Sequence, residues 1–281
     1  MTDARQRGVA VVLAMGVVAM AAIAAAAMLA SQSTWSRHAE LGAAHAQAQI
    51  LVGAGVDWAR AVLSDDRRVS SVDHLGEPWA MRLPPVPVDN GELAGQIDDQ
   101  QGAFNLNNLA RNGEVSPAHL AQFRRLLTVL DLPEALAGTL ADWQLAAGRP
   151  LMDRAELAVV RGFDETARAR LRPFVTALPR FTAVNVNTAP PEVLAAVVSD
   201  LGLDAARTLT AQRERAYFRT LAEFIVQLPA GAAVDGHDIT TASQYFLVSV
   251  RVTIGEAQAR GAALLERDAA TWPAVVWRKY P

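Results

Sequence analysis

The sequence predicts an α+β protein in which a long N-terminal helix packs on a small antiparallel sheet and a large all-α insertion interrupts the sheet. Three observations carry that prediction. A proline-free stretch with helical spacing follows an uncharged apolar run. A central helical block opens twice on an Asn-x-Asn motif. The chain then closes on segments with the two-residue period of strands.

The apolar run spans Val9 to Ala30, 22 residues without an ionisable group. That length crosses a bilayer core of ~30 Å at ~1.5 Å rise per residue. Arg5 and Arg7 precede it, and the bias of Lys and Arg toward the cytoplasmic side holds that end inside. Three readings stay open on the residues alone. A cleaved secretory signal has a basic start, an apolar core and a small-residue site, for which Ala25-Ala26-Ala27 and Met28-Leu29-Ala30 are candidates. A simple anchor needs nothing more than the run itself. The third reading uses Arg7-Gly8-Val9, a glycine set directly against the apolar helix.

From Ser31 to Leu63 there is no proline. Trp35, Leu41, Ala44, Ala48, Leu51, Gly55, Trp58 and Val62 recur at spacings of three and four, which marks one apolar face. Arg37, Glu40, Gln47, Gln49, Asp57 and Arg60 lie opposite. One continuous helix of ~50 residues is expected, ending at Asp65-Asp66-Arg67-Arg68, with its second half on a sheet. Val69–Val72 and Trp79–Leu83, broken by Gly76, Pro78 and Pro84-Pro85, read as loop and edge-strand material. Gly91–Asp98 reads as a strand.

Gln101–Leu109 (QGAFNLNNL) is expected to enter the block in extended form. Helices are expected at Pro117–Leu130, Glu134–Leu145 and Arg154–Val160. The opening then recurs as Val184-Asn185-Val186-Asn187, with Thr188 as the expected N-cap and Pro190 and Pro191 in the first turn. Helices follow at Glu192–Asp200, Ala205–Ala216 and Leu221–Val226. Tyr245–Ile254 alternates and is rich in β-branched residues, so it is a strand. Gln258–Arg267 and Trp272–Lys279 complete the sheet.

Composition limits the chemistry. Net charge is −3 with both signs interspersed, so no global attraction to nucleic acid is expected. There is no cysteine, which excludes disulfides and thiolate sites. His38, His45, His74, His119 and His237 show no paired metal spacing. Asp98-Asp99 and Asp142 are expected to be solvated or capping. No nucleophile, metal or phosphate-loop motif is present, so an enzyme is not expected.

Asn185 to Phe224 resembles a helix-hairpin-helix unit, a fold that binds phosphate through backbone N–H groups at a glycine hairpin. Here the hairpin is Leu201-Gly202-Leu203-Asp204. Asp204 opposes an anion, and Asp200 and Glu214 offset Arg207, Arg213 and Arg215. A membrane-anchored DNA-binding protein is therefore the weaker alternative.

Taken in order, several motifs resemble one family along the whole chain. They are Arg-Gln-Arg-Gly8-Val9 with its apolar helix, Glu77-Pro78-Trp79, Gln101-Gly102-x-Phe104-Asn105-Leu106-Asn107-Asn108-Leu109, Asp142-Trp143, Asn185-Val186-Asn187-Thr188-Ala189 and Trp277-Arg278. The chain is similar to the K-type minor pseudopilins of bacterial type II secretion systems. The resemblance implies a pseudopilin fold with an insertion of two helix-hairpin-helix or SAM-like units. It implies a leader 1–8, a transmembrane helix 9–30, a pseudopilin helix with first β pieces 31–100, an insertion 101–230 (units 101–178 and 179–230) and a closing β part 231–281. It also implies prepilin peptidase cleavage between Gly8 and Val9, with methylation of Val9. Most pseudopilins have Glu at the fifth mature residue, where this chain has Leu13. A subunit with no neighbour above it needs no such carboxylate, so Leu13 fits a tip position. The implied partners are I- and J-type minor pseudopilins, the major pseudopilin, the peptidase and secreted exoproteins. The globular part would be periplasmic and the anchor in the inner membrane. Calcium is possible from the resemblance, but Gln144-Leu145-Ala146-Ala147 after Asp142-Trp143 supplies no carboxylate, and no ligand is assigned.

Overall fold

The computed structural model describes residues 3–268 and 272–280, with side chains from residue 11 onward except 33 and 34. Helix α1 (Asp3–Val69) runs unbroken for 67 residues, as its lack of internal proline allows. At ~1.5 Å per residue it is ~100 Å long. Its first part has an 18-residue window of mean hydropathy 2.5, none of it buried.

The second half of α1 lies on a five-stranded antiparallel sheet. Strands β1 (Leu83–Val88) and β2 (Gly91–Asp99) form a hairpin at one side. Pro84, Pro85 and Pro87 are tolerated in β1 because it is an edge strand. The chain then leaves the sheet and returns at residue 245.

The excursion contains short elements. The two-residue strand β3 (Phe104–Asn105) leads into a 3₁₀ turn at Leu106–Asn108, where extended chain was expected. Strands β4 (Ala110–Arg111) and β5 (Glu114–Val115) form a hairpin. Its Asn112-Gly113 turn has φ of 55° and 81°, the positive pair that Asn-Gly accommodates. Helices α2 (Pro117–Val129) and α3 (Ala135–Ala147) follow. Arg154–Val159 is 3₁₀, and α4 (Glu165–Leu171), capped by Asp164, was not anticipated. After β6 (Val175–Thr176) and β7 (Val184–Asn185) come α5 (Pro191–Val197), α6 (Leu203–Arg213), α7 (Leu221–Val226) and β8 (Ile239–Thr240).

The sheet resumes with β9 (Tyr245–Ile254), β10 (Ala257–Glu266) and β11 (Ala274–Lys279), in the order β1-β2-β9-β10-β11. Strand β9 is central, paired with β2 and β10 along its whole length.

The described residues form two large apolar cores and a small cluster of Leu178, Tyr245 and Leu264. One joins α1 to the sheet through Ala48, Val52, Val56, Ala59 and Leu63 against Phe246, Val248, Val250 and Val252. The expected face holds at Ala44, Ala48, Leu51, Gly55 and Val62, which are buried in this core or packed against it. The contact row is shifted to include Val52, Val56, Ala59 and Leu63, and Trp35 and Trp58 are exposed. Close approach selects Gly261 in β10, where a Cβ would overlap Val52 of α1. The second core fills the helical block from Phe104 to Ile239 as one cluster.

Candidate functional site

At the N-terminal end, Gly8 and Val9 lie within the backbone of α1, and their side chains fall outside the described residues. Leu13 is on the helix surface, 64% exposed among equally exposed Val, Met and Ile side chains. Such a surface is stable only when lipid or other apolar helices cover it.

The two Asn-x-Asn openings do the same job twice. Asn105 Oδ1 accepts the N–H of Asn107 at 3.1 Å, and Asn185 Oδ1 accepts that of Asn187 at 2.9 Å. The second asparagine of each then grips backbone further along. Asn107 Nδ2 donates to Leu151 O (2.8 Å) and Leu178 O (2.9 Å), while its Oδ1 accepts Leu151 N–H (2.8 Å). Asn187 holds both backbone groups of Phe218, at 2.9 and 2.8 Å. Each opening strand also pairs in parallel with a later one, β3 with β6 and β7 with β8. Asparagine suits this role because one side-chain amide mimics a peptide group, donating and accepting at once.

A buried polar network joins the helical block to the sheet. Asp99 ends β2, and its Oδ2 accepts Thr188 Oγ1–H (2.5 Å), Ser243 Oγ–H (2.7 Å) and Asn185 Nδ2–H (3.2 Å). Thr188 therefore spends its hydroxyl on Asp99, and Pro190 stands at the N-cap of α5. Asp99 is likewise neither solvated nor a helix cap. Gly102 fits here because a Cβ would meet the Thr188 backbone at 3.0 Å.

Beside it lies a charged knot that no sequence motif announces. Arg267 is 3% exposed, and its guanidinium bonds Asp66 (2.7 Å), Asp73 (2.5 and 2.6 Å) and Ser243 O (2.9 Å). Glu77 completes a trio of carboxylates close enough to share a cation, but Arg267 already serves as that cation for Asp66 and Asp73. Glu77 Oε2 instead accepts Trp79 Nε1–H (2.8 Å) and the His74 N–H (2.9 Å), which gives Glu77-Pro78-Trp79 its purpose. Burial, with help from Glu77, pushes the Asp66 carboxyl up to about 6, and burial pushes Asp99 to about 6 and Asp73 upward.

The pH dependence follows from these directions. A carboxyl raised above its unfolded value binds its proton more tightly in the fold, so stability falls as pH rises from about 4 through about 6. Asp235, held down by hydrogen bonds from His237, titrates below that window. The full chain in detergent is expected to melt at a higher temperature at pH 5 than at pH 7.5. The reverse order would contradict the placement of Asp66 and Asp99.

Other candidate chemistry resolves into structure. Ser116 Oγ, His119 and Asp238 stand in line, at 2.6 and 3.2 Å. Ser116 is engaged as the N-cap of α2, and Asp238 also accepts Gln122 Nε2–H at 2.6 Å, so the line ties α2 to the segment before β8. At the Leu201–Asp204 hairpin, Arg207 pairs with Asp204 at 3.1 Å, and Arg213 is turned inward onto Val186 O at 2.6 Å. Burial pulls the Arg213 guanidinium down to about 10. Arg213 is thus not available to a phosphate backbone, and the exposed Arg207 has Asp204 beside it.

A calcium ion after Asp142-Trp143 does not fit these residues. Gln144 donates to Leu106 O and Asn107 Oδ1, and Arg149 stacks over Trp143 and pairs with Glu156 at 2.9 Å. A hard cation needs several anionic or carbonyl oxygens. A guanidinium holds that loop instead.

The described residues thus form a membrane-length helix continuous with a sheet-packed half, with a helical block carried between strands β2 and β9. Residues 102–180 and 184–249 match the two models described as type II secretion system (T2SS), protein K. The type II secretion system protein K of Pseudomonas aeruginosa is 32% identical, with 89% of this chain and 86% of that one covered. The Klebsiella pneumoniae protein of the same description is 29% identical over 98% of this chain and 97% of that one. A chain in the crystal structure of the GspK-GspI-GspJ complex from enterotoxigenic Escherichia coli matches with a TM-score of 0.73 and 24% identity. That match covers 89% of this chain and 99% of that one. The chain belongs to the type II secretion system protein K family. It is a minor pseudopilin of that secretion system.

Proposed function

We propose that this subunit caps the tip of the periplasmic pseudopilus. In this reading it assembles there with I- and J-type minor pseudopilins, above the major pseudopilin, and contacts or pushes exoproteins without catalysing a reaction. The observation that carries the reading is the apolar Leu13 in a helix surface uncharged from Val9 to Ala30. A buried carboxylate in lipid is tolerated only when paired, and a terminal subunit has no neighbour to pair with. The proposal places the N-terminus in the cytoplasm, the anchor in the bacterial inner membrane and the globular part in the periplasm. It divides the chain into leader 1–8, anchor 9–30, helix and first strands 31–100, helical units 101–178 and 179–230, and closing part 231–281.

The processing step is directly testable. Co-expression with an active prepilin peptidase is expected to yield a chain beginning at Val9, methylated on its new amine, as read by intact mass. Gly8→Leu is expected to block the cut. An unchanged N-terminus in cells where the peptidase processes other pseudopilins would overturn the assignment of Gly8.

A further inference from the structure

Trp35 stands where neither the sheet nor the helical block reaches it. Its spacing puts it on the face of α1 that packs on the sheet, yet 77% of it is exposed. Every described side chain of α1 from Val11 to Glu40 is exposed. The first to reach the core with the sheet is Ala44, nine residues and ~14 Å further along. In the sequence the ring is set among small polar residues, Ser31-Gln32-Ser33-Thr34 before it and Ser36 after it. An indole has an apolar body and a single N–H donor, the combination that gathers Trp at the boundary between lipid tails and water.

The spacing along the helix points the same way. No ionisable side chain occurs between Arg7 and Arg37, and Trp35 is the single aromatic residue of that stretch. Helix α1 runs through both Arg7 and Trp35 without a break, so the 28 residues from one to the other span ~42 Å. A bilayer measures ~40–45 Å with its headgroup layers included. With Arg7 among the headgroups of one side, Trp35 reaches the headgroup layer of the other, and the sheet begins just beyond it. Cleavage after Gly8 would remove Arg5 and Arg7. Trp35 is then the one side chain of residues 9–36 suited to either interface.

We propose that Trp35 seats in the phospholipid headgroup layer on the side of the globular part, and holds the polar turn 31–34 at that depth. The proposal rests on the reading of 9–30 as an anchor. It is independent of the tip assignment and of the cut at Gly8.

The test uses the full chain in phosphatidylcholine vesicles, where flotation with the vesicles shows that the anchor has inserted. Tryptophan emission is read as the difference between the chain and Trp35→Phe. Lipid brominated near the headgroup is expected to quench that difference more strongly than lipid brominated near the chain end. The next tryptophan is Trp58, ~35 Å further along the helix and beyond the reach of either lipid. A thiol at Gln32→Cys, in a chain without cysteine, reads what the ring does for the helix. Its modification by a membrane-impermeant maleimide is expected to rise several-fold when Trp35→Ser is added. Stronger quenching by the deep bromines would put the ring in the hydrocarbon, and quenching by aqueous iodide alone would put it in water. Shielding from all three quenchers would mean that a neighbouring helix covers it. Each of these results overturns the proposal, as does a thiol whose labelling is unchanged, and each leaves the anchor standing. A chain that fails to float would overturn the anchor reading and the proposal with it.

Discussion

Arg267→Ala is expected to unfold the junction between the sheet and the helical block, at a cost of ~3–5 kcal/mol. The reason is the asymmetry of buried charge. Assembling such a knot gains little over an apolar core, but removing its single cation leaves Asp66, Asp73 and Glu77 enclosed together. The guanidinium also covers the Phe246 ring at 4.6 Å, so the alanine opens a cavity beside the central strand. Against a typical total of ~5–15 kcal/mol, the variant would sit near the edge of stability. Its deficit should shrink at pH 5, where the raised carboxyls of Asp66 and Asp73 take up protons. Chemical denaturation at both pH values checks this. A loss below ~1 kcal/mol at pH 7.5, or a deficit independent of pH, would mean the knot is solvated.

The second large effect is expected at Asn107. Asn107→Ala strands the N–H and C=O of Leu151 and the C=O of Leu178, all held by one buried side chain. At ~1–3 kcal/mol for each buried group left unmet, a loss of ~3 kcal/mol or more follows. Asn187→Ala strands only the two backbone groups of Phe218 and should cost less. Hydrogen exchange gives the local readout, with the Leu151 amide losing protection first in Asn107→Ala. If Asn187→Ala proved the costlier change, the shared mechanism of the two openings would be incorrectly weighted.

The long helix was legible from its proline-free stretch with helical spacing, and the central strand Tyr245–Ile254 from its alternation. The register of the inner face was not. Alanine and glycine are so common along α1 that apolar spacing fits two adjacent rows, and only the fit against Gly261 selects Val52 and Val56. Thr188 looked like a cap because its spacing before Pro190 and Pro191 suits one. A partner 89 residues earlier, Asp99, holds its hydroxyl instead. Helix α4 is seven residues long, too short for periodicity to stand out. The hairpin turn at Asn112-Gly113 was not among the expected elements, although that dipeptide suits the positive φ pair the turn requires. Arg267 had no local signal, since its partners lie about 200 residues away along the chain.

The tip assignment is tested most directly by assembly. Full-length processed chain, mixed in detergent with processed I- and J-type minor pseudopilins, is passed through size exclusion with in-line light scattering. The account predicts one complex containing all three subunits, to which the major pseudopilin adds from one side only. A chain that elutes alone, or one that polymerises with itself in both directions, would contradict it.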